Sequence, residues 1–158
     1  MIFDQETIDI FIRLGLAVLL GALIGLERRL AHKTAGMRTF ALVCFGSALF
    51  SIISQMASLQ FINDPKLSSV LRFDPTRIAA QIVTGIGFLG AGLIILRQDR
   101  VMGLTTAAGL WTVAAIGMAL GFGFVKIAIF STILVLFILV FLWAIEHHFF
   151  KKGSNNEL

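Results

Sequence analysis

DPTRIAAQIVTGIGFLGAGLIILRQDRVMGLTTAAGLW, residues 74–111, is the stretch whose reading decides the fold. Asp74-Pro75-Thr76-Arg77 reads as a helix start: an Asp side chain accepts from orphan amides, and Pro at the first helical position gives up no bond. From Ile78 to Leu96 every residue except Gln81 and Thr84 is apolar or glycine. That is about the 20 residues needed to cross ~30 Å of hydrocarbon at ~1.5 Å per residue. The segment reads as a transmembrane helix.

On a helical wheel of about 100° per residue, Arg77, Gln81, Gly85 and Gly92 share one face, with Ala80, Thr84, Gly87 and Ala91 beside them. Ile78, Ile82, Ile86, Leu89, Leu93 and Leu96 gather on another. In lipid, bulky apolar side chains gain nothing by leaving the acyl tails, whereas small residues let backbones touch. The glycine face is therefore expected to meet protein and the Ile/Leu face to meet lipid, so that Gly85→Leu or Gly90→Leu would disrupt assembly. Gly85, Gly87 and Gly90 also satisfy G-x-G-x-x-G, but a dinucleotide loop needs a preceding strand and a soluble helix. Inside an apolar span the pattern reads as close helix packing.

Working outward, 58% of the 158 residues are hydrophobic and 14% charged, far from soluble usage. The fold class is all-α, a polytopic membrane bundle with spans at about 8–26, 37–56, 77–96, 104–122 and 125–145. Residues 1–150 read as a single transmembrane domain and 151–158 as a short cytoplasmic tail. The acidic start (Asp4, Glu6, Asp9) lacks a basic n-region and a small-residue cleavage site, so the first span is expected to be retained. Cys44, the single cysteine, can form no intramolecular disulfide and reads as a small packing residue.

Charge sets the orientation. With alternating sides, 27–38, 97–103 and the tail carry Arg28, Arg29, Lys33, Arg38, Arg97, Arg100, Lys151 and Lys152. The opposite side carries Arg13, Lys66, Arg72, Arg77 and Lys126. The positive-inside bias places the first set in the cytoplasm, with the N-terminus outside and the C-terminus inside. These charges flank spans without an aromatic-basic platform, which argues against nucleic acid as a partner.

In the first span Asp9 and Arg13 sit at i,i+4 and read as an interfacial anchor. Ala17, Gly21 and Gly25 form a small-xxx-small stripe. Glu27-Arg28-Arg29 reads as a solvated stop signal, with room for Glu27 to face the bundle. Arg38 and Thr39 enter the second span from the cytoplasmic side. Residues 57–76 form a polar outer loop with a turn at Asn63-Asp64-Pro65. Arg97-Gln98-Asp99-Arg100 fits a tight turn. The fourth span carries Thr105, Thr106 and Thr112, whose hydroxyls suit interhelical hydrogen bonds, and a small-residue pair, Gly117 and Gly121. The fifth is bulky on all sides and belongs at the rim. His147 and His148 are adjacent, so they do not share a helix face for a metal. A weak echo aligns AGMRTFALV (35–43) with MGLTTAAGL (102–110), which suggests two parallel hairpin repeats.

LLGALIGLERR (19–29), AGMRTFALV, DPTRIAAQIVTGIGFLGAGLI and GLTTAAGLW, in that order within about residues 13–125, resemble the MgtC/SapB family of bacterial inner-membrane proteins. The resemblance implies a link to growth in low magnesium, survival in phagocytes and acid tolerance. Longer members carry a further cytoplasmic domain, so the short SapB-like form is the expected match. The resemblance carries over Gly21, Gly25 and Glu27; Gly36, Arg38 and Thr39; Asp74, Pro75, Arg77, Gln81, Gly85, Gly87, Gly90 and Gly92; and Gly103, Thr105, Thr106 and Trp111.

Two functions follow as expectations. The first is a regulatory protein that acts on ion or acid homeostasis by contacting other membrane proteins or itself. Glu27, Arg38, Thr39, Asp74, Arg77, Gln81, Thr105 and Thr106 would form its polar clusters, and Gly21, Gly25, Gly85, Gly87, Gly90, Gly92, Gly117 and Gly121 its packing surfaces. The alternative is a small channel or transporter for Mg²⁺ or protons, for which Gln81 and the threonines could line a neutral lane. No acidic residue lies at mid-membrane depth to relay a cation. No catalytic arrangement, cofactor motif or metal cluster is visible, so an enzyme is not expected.

Overall fold

A computed structural model describes residues 4–63, 74, 76–97 and 100–150. Its helices are α1 (Gln5–Leu30), α2 (Met37–Asn63), α3 (Thr76–Leu93), α4 (Leu104–Gly121), α5 (Val125–Phe137) and α6 (Trp143–Phe150). A π-helical turn at Ile138–Leu142 joins the last two. A short antiparallel hairpin, β1 (Ile95–Arg97) and β2 (Arg100–Met102), pairs Ile95 with Met102, Leu96 with Val101 and Arg97 with Arg100. The architecture is all-α, a bundle in which, among the described residues, four helices are long and apolar enough to cross a membrane and Arg77–Leu93 is a shorter fifth.

Two boundaries differ from expectation. Helix α2 continues to Asn63, seven residues past the expected end, and Ser54 and Ser58 on its second half remain buried. The third crossing ends at Leu93 rather than Leu96, since Gly103 takes a left-handed conformation that folds the chain into the hairpin against Leu93. Pro65 of the expected outer turn and Gln98-Asp99 of the expected tight turn lie outside the described residues.

Local chemistry explains the helix ends. Asp4 caps α1, its Oδ1 accepting from the Thr7 backbone N–H and hydroxyl, both at 3.0 Å. At the other end His32 adopts φ 55°, Lys33 N–H donates to Arg28 C=O and His32 N–H to Arg29 C=O. This is the Schellman closure with histidine where glycine is usual. Gly123 closes α4 in the same way, with Phe124 N–H donating to Ala119 C=O. There Arg13 adds a guanidinium N–H to the Gly121 C=O at 3.2 Å. A cation at a helix C-terminus meets the negative end of the macrodipole. Arg13 therefore pairs with Asp9 and fastens α1 to α4, beyond the interfacial role expected of it.

The core is the central pair α2–α4 with α1 against both. A Cβ on Gly21 would lie 2.7 Å from Cys44 Cβ, one on Gly25 2.7 Å from Met37 Cα, and one on Gly121 2.5 Å from the Ala48 carbonyl oxygen; one on Gly117 would overlap the Cys44 carbonyl oxygen. Such separations exist only because the side chains are absent, and they let dispersion act over whole helix faces. Phe40, Cys44, Ala48, Leu110, Val113, Ile116 and Leu120 fill the centre. Helix α5 touches α4 and α1 and leaves most of its surface to the surroundings: only 17% of the span Val125–Glu146 is buried.

Helix α3 departs from its expected orientation, although Leu89 and Leu96 stay exposed as expected. Ile86 and Gly90 are buried against the rest of the chain, with Gly90 facing Ala107, whereas Gly85, Gly87 and Gly92 are exposed and have nothing within 4 Å of a Cβ. The wheel identified the two faces but not their partners. A face of Ile86, Leu93 and Gly90 still fits the Ala107 side of α4, because one glycine at the crossing point suffices for approach. The remaining glycines face outward from this chain.

Candidate functional site

The uncovered side of α3 opens onto a lateral groove of about 670 Å³ between α3 and α2. Leu42, Val43, Gly46, Ser47 and Phe50 form the α2 wall. Ile78, Gln81, Ile82, Gly85, Ile86 and Leu89 form the α3 wall. Gly46, like Gly85, has open space where a side chain would project. Ser47 and Gln81 are the polar residues among an otherwise apolar lining, which is the chemistry of a docking cleft rather than of a hydrated ion path.

The polar candidates separate to the two ends of the bundle. At the end formed by the α1 C-terminus and the α2 N-terminus, Arg28 is buried, 3% exposed at the side chain, and forks onto Glu27 through Nε to Oε2 and Nη2 to Oε1, the latter at 2.6 Å. The expected solvated stop signal is thus corrected. A bidentate carboxylate is the partner that makes burial of a guanidinium tolerable. Glu27 is held by its chain neighbour, not by Arg38 or Thr39, which are both exposed. Thr105 is exposed as well, and Thr106 is buried, 2% exposed. These residues share an end of the bundle, but no hydrogen bond or ion pair joins Arg38, Thr39, Thr105 or Thr106 to the Glu27–Arg28 pair among the described residues.

At the opposite end Arg77 N–H donates to the Asp74 carbonyl at 3.3 Å, which is the start of α3. Both side chains are exposed, as is Gln81, which alone of the three lines the groove. Of the fourth-span hydroxyls expected to bridge helices, Thr112 bonds instead to its own helix, donating to Ala108 C=O at 2.8 Å, as Thr84 does to Ala80 C=O at 3.1 Å and Thr132 to Ala128 C=O at 2.9 Å. A hydroxyl four residues after a free carbonyl lone pair finds that acceptor without crossing to a neighbour.

Two features escaped the sequence reading. One is buried Arg28, for which adjacency to Glu27 gave no helical-face signal. The other is a buried serine stripe on α2, Ser47, Ser51, Ser54 and Ser58, whose four-three-four spacing was there to be counted. Ser47 and Ser51 Cβ atoms lie against Gly117 and Gly121, and Ser51 Oγ donates to Ser47 C=O at 2.8 Å. No group of three or more His, Cys, Asp or Glu able to hold a metal occurs among the described residues.

The family model described as the MgtC family matches residues 14–148, nearly all of the bundle. This chain belongs to the MgtC family. Among its relatives, the "Putative magnesium transporter YhiD" of Escherichia coli K12 is 39% identical over 152 residues, 96% of this chain and 69% of YhiD. Protein SapB of Bacillus subtilis 168 is 40% identical over 140 residues, covering 87% of this chain and 59% of SapB. Protein MgtC of Brucella abortus 2308 is 45% identical over 120 residues, covering 76% and 45%. All three extend beyond the matched region, SapB included. No solved structure matches the chain. Family membership and the apolar helices together make this a multi-pass membrane protein.

Proposed function

We propose that this MgtC-family chain is a regulatory protein of the bacterial inner membrane, linked to magnesium or acid homeostasis, that acts by contacting other membrane proteins. The observation that carries this reading is the α2–α3 groove with the small-residue face of α3 beside it, both uncovered among the described residues. Surfaces of that composition are where transmembrane helices associate. The magnesium link rests on the name of the YhiD relative. By the positive-inside bias, the end carrying Arg28, Arg29, Lys33, Arg38, Arg97 and Arg100 faces the cytoplasm.

The test is photo-crosslinking in native membranes from a probe replacing Phe50 on the groove wall. A defined membrane-protein adduct, lost when the groove is filled by Gly46→Leu, supports contact. Adducts to lipid alone would overturn it. A second reading, Mg²⁺ transport, is favoured by the name of YhiD. It predicts Mg²⁺ flux into liposomes holding the purified chain alone, abolished by Gln81→Leu or Arg77→Leu; flux indistinguishable from empty liposomes would reject it.

A further inference from the structure

We propose that the hairpin β1–β2 between α3 and α4 is a lipid-binding element: it lies in the headgroup layer of the bilayer and holds the phosphate of an anionic phospholipid between Arg97 and Arg100. The proposal goes beyond the protein-contact reading above and does not depend on it.

Three observations define the hairpin. Its base is fixed, because Gly103 at φ 91° comes so close to the Leu93 carbonyl that a Cβ would overlap the oxygen. Beyond that point it makes no substantial contact with any helix among the described residues, and all six of its paired residues are exposed, Leu96 to 70% and Val101 and Met102 to 54%. Its register sets Arg97 directly opposite Arg100.

That composition suits neither water nor hydrocarbon. A lone two-stranded hairpin is marginal in water at best, and like charges placed directly opposite destabilise it further. Cross-strand partners and residues two apart share a face, so Ile95 and Met102 lie on the face of the two arginines, and Leu96 and Val101 lie on the other. Both faces are thus apolar at the base of the hairpin. In hydrocarbon the outer edges of the strands would carry N–H and C=O groups that acyl chains cannot satisfy, and arginine is costly there. The interfacial layer meets both demands, with water and ester and phosphate oxygens for the edges and acyl carbons for the side chains.

Helix length puts the hairpin in that layer. Helix α3, 18 residues, is about 27 Å long at ~1.5 Å per residue, close to the ~30 Å of hydrocarbon. Trp143, exposed and about as far along the last crossing from Val125, marks the same level, since tryptophan gathers at the membrane interface. The headgroup layer beyond is about 5–8 Å thick, and the strand rises about 7 Å from Ile95 to Arg97. The apolar base therefore meets the acyl boundary while the arginines reach the phosphates.

Charge complementarity selects the ligand. Neither arginine forms an ion pair among the described residues, and Asp99, between them in sequence, offsets one of the two charges at most. Directly opposed residues have Cβ atoms about 4.5–5.5 Å apart, so two guanidinium groups can fork onto one phosphate. The anion turns their mutual repulsion into charge-assisted hydrogen bonds. A zwitterionic lipid brings its own cation to the same place and gains less.

The test is native mass spectrometry of the chain purified in detergent with equal amounts of phosphatidylglycerol and phosphatidylcholine. Phosphatidylglycerol should be retained in preference. Each arginine near an anionic surface is worth about fivefold in binding, so Arg97→Gln with Arg100→Gln should lower that preference about tenfold or more. Arg29→Gln with Lys33→Gln, two exposed cations at the same end of the bundle, should leave it unchanged. Equal losses from the two pairs, or no loss from the hairpin pair, overturn the proposal, as does displacement of the lipid by inorganic phosphate at equal concentration. A second measurement reads the depth of the hairpin: bimane on Val101→Cys in a Cys44→Ala background, in phosphatidylglycerol nanodiscs, should be quenched by spin-labelled lipid and little by aqueous iodide. Quenching by iodide alone overturns the proposal. So does protection from iodide that appears only when cytosolic extract is added, which would assign the hairpin to a soluble protein. Every variant is compared with the parent by elution and thermal unfolding, so that loss of lipid is read only from a folded chain.

Discussion

Alanine at Gly117 and alanine at Gly85 should move stability in opposite directions. A methyl group on Gly117 would overlap the Cys44 carbonyl oxygen and approach Ser47 Cβ to 2.9 Å. Those neighbours are a backbone atom and a β-carbon, so no rotamer change relieves the overlap and α2 must move away from α4. Overpacking of this kind costs about 1–3 kcal/mol, occasionally more. Against it stands the better helix propensity of alanine, about 1 kcal/mol. Gly117→Ala should therefore lose up to about 2 kcal/mol net, and Gly121→Ala, with its Cβ 2.5 Å from the Ala48 carbonyl oxygen, should behave alike. Gly85 has nothing within 4 Å, so Gly85→Ala meets no clash and keeps only the propensity gain, up to about 1 kcal/mol. The two variants should differ by about 2 kcal/mol, more than tenfold in the unfolding equilibrium. Reversible unfolding in mixed detergent micelles, followed by Trp111 and Trp143 fluorescence, measures the difference. Gly85→Ala found as damaging as Gly117→Ala would refute the placement of the α3 glycines away from the bundle core of this chain.

Three further outcomes follow from the ends of the bundle. Arg28→Leu strands Glu27 at 17% exposure, and removing one member of a buried ion pair costs about 3–5 kcal/mol; the double change Arg28→Leu/Glu27→Leu should cost less than Arg28→Leu alone, as a double-mutant cycle in the same micelles will read. Arg13→Met removes a charge-assisted bond to the α4 C-terminus, worth about 1.5–3 kcal/mol, and should raise hydrogen exchange at Gly123 and Phe124, whereas Arg29→Met at an exposed site should not. The Asp4 carboxyl is held below its ordinary value mainly by the Thr7 backbone N–H it accepts. A carboxylate whose folded pKa is depressed stabilises above its unfolded value and loses that contribution as pH falls through the lowered one. The first turn of α1 should therefore fray in acid below the ordinary Asp range, as amide exchange at Thr7 would report, and Asp4→Asn should remove the dependence.

Composition, span length and glycine spacing were sufficient for the membrane bundle and the approximate helix positions, because a bilayer imposes one length on every crossing and small residues at i,i+4 mark where backbones can touch. Residues 21, 25, 117 and 121 lie at such contacts, and the family resemblance rests on motifs that the family model also matches. The sequence alone could not say which face of α3 turns inward. On a wheel, Gly85 and Gly90 are equally small, and only the position of Ala107 across the crossing selects the second. Nor could it show Arg28 buried beside Glu27, since successive residues of a helix point about 100° apart and the pairing is settled only by the surrounding packing. The groove is tertiary in the same sense: Gly46 and Gly85 are ordinary glycines until α2 and α3 bring their two absences opposite one another.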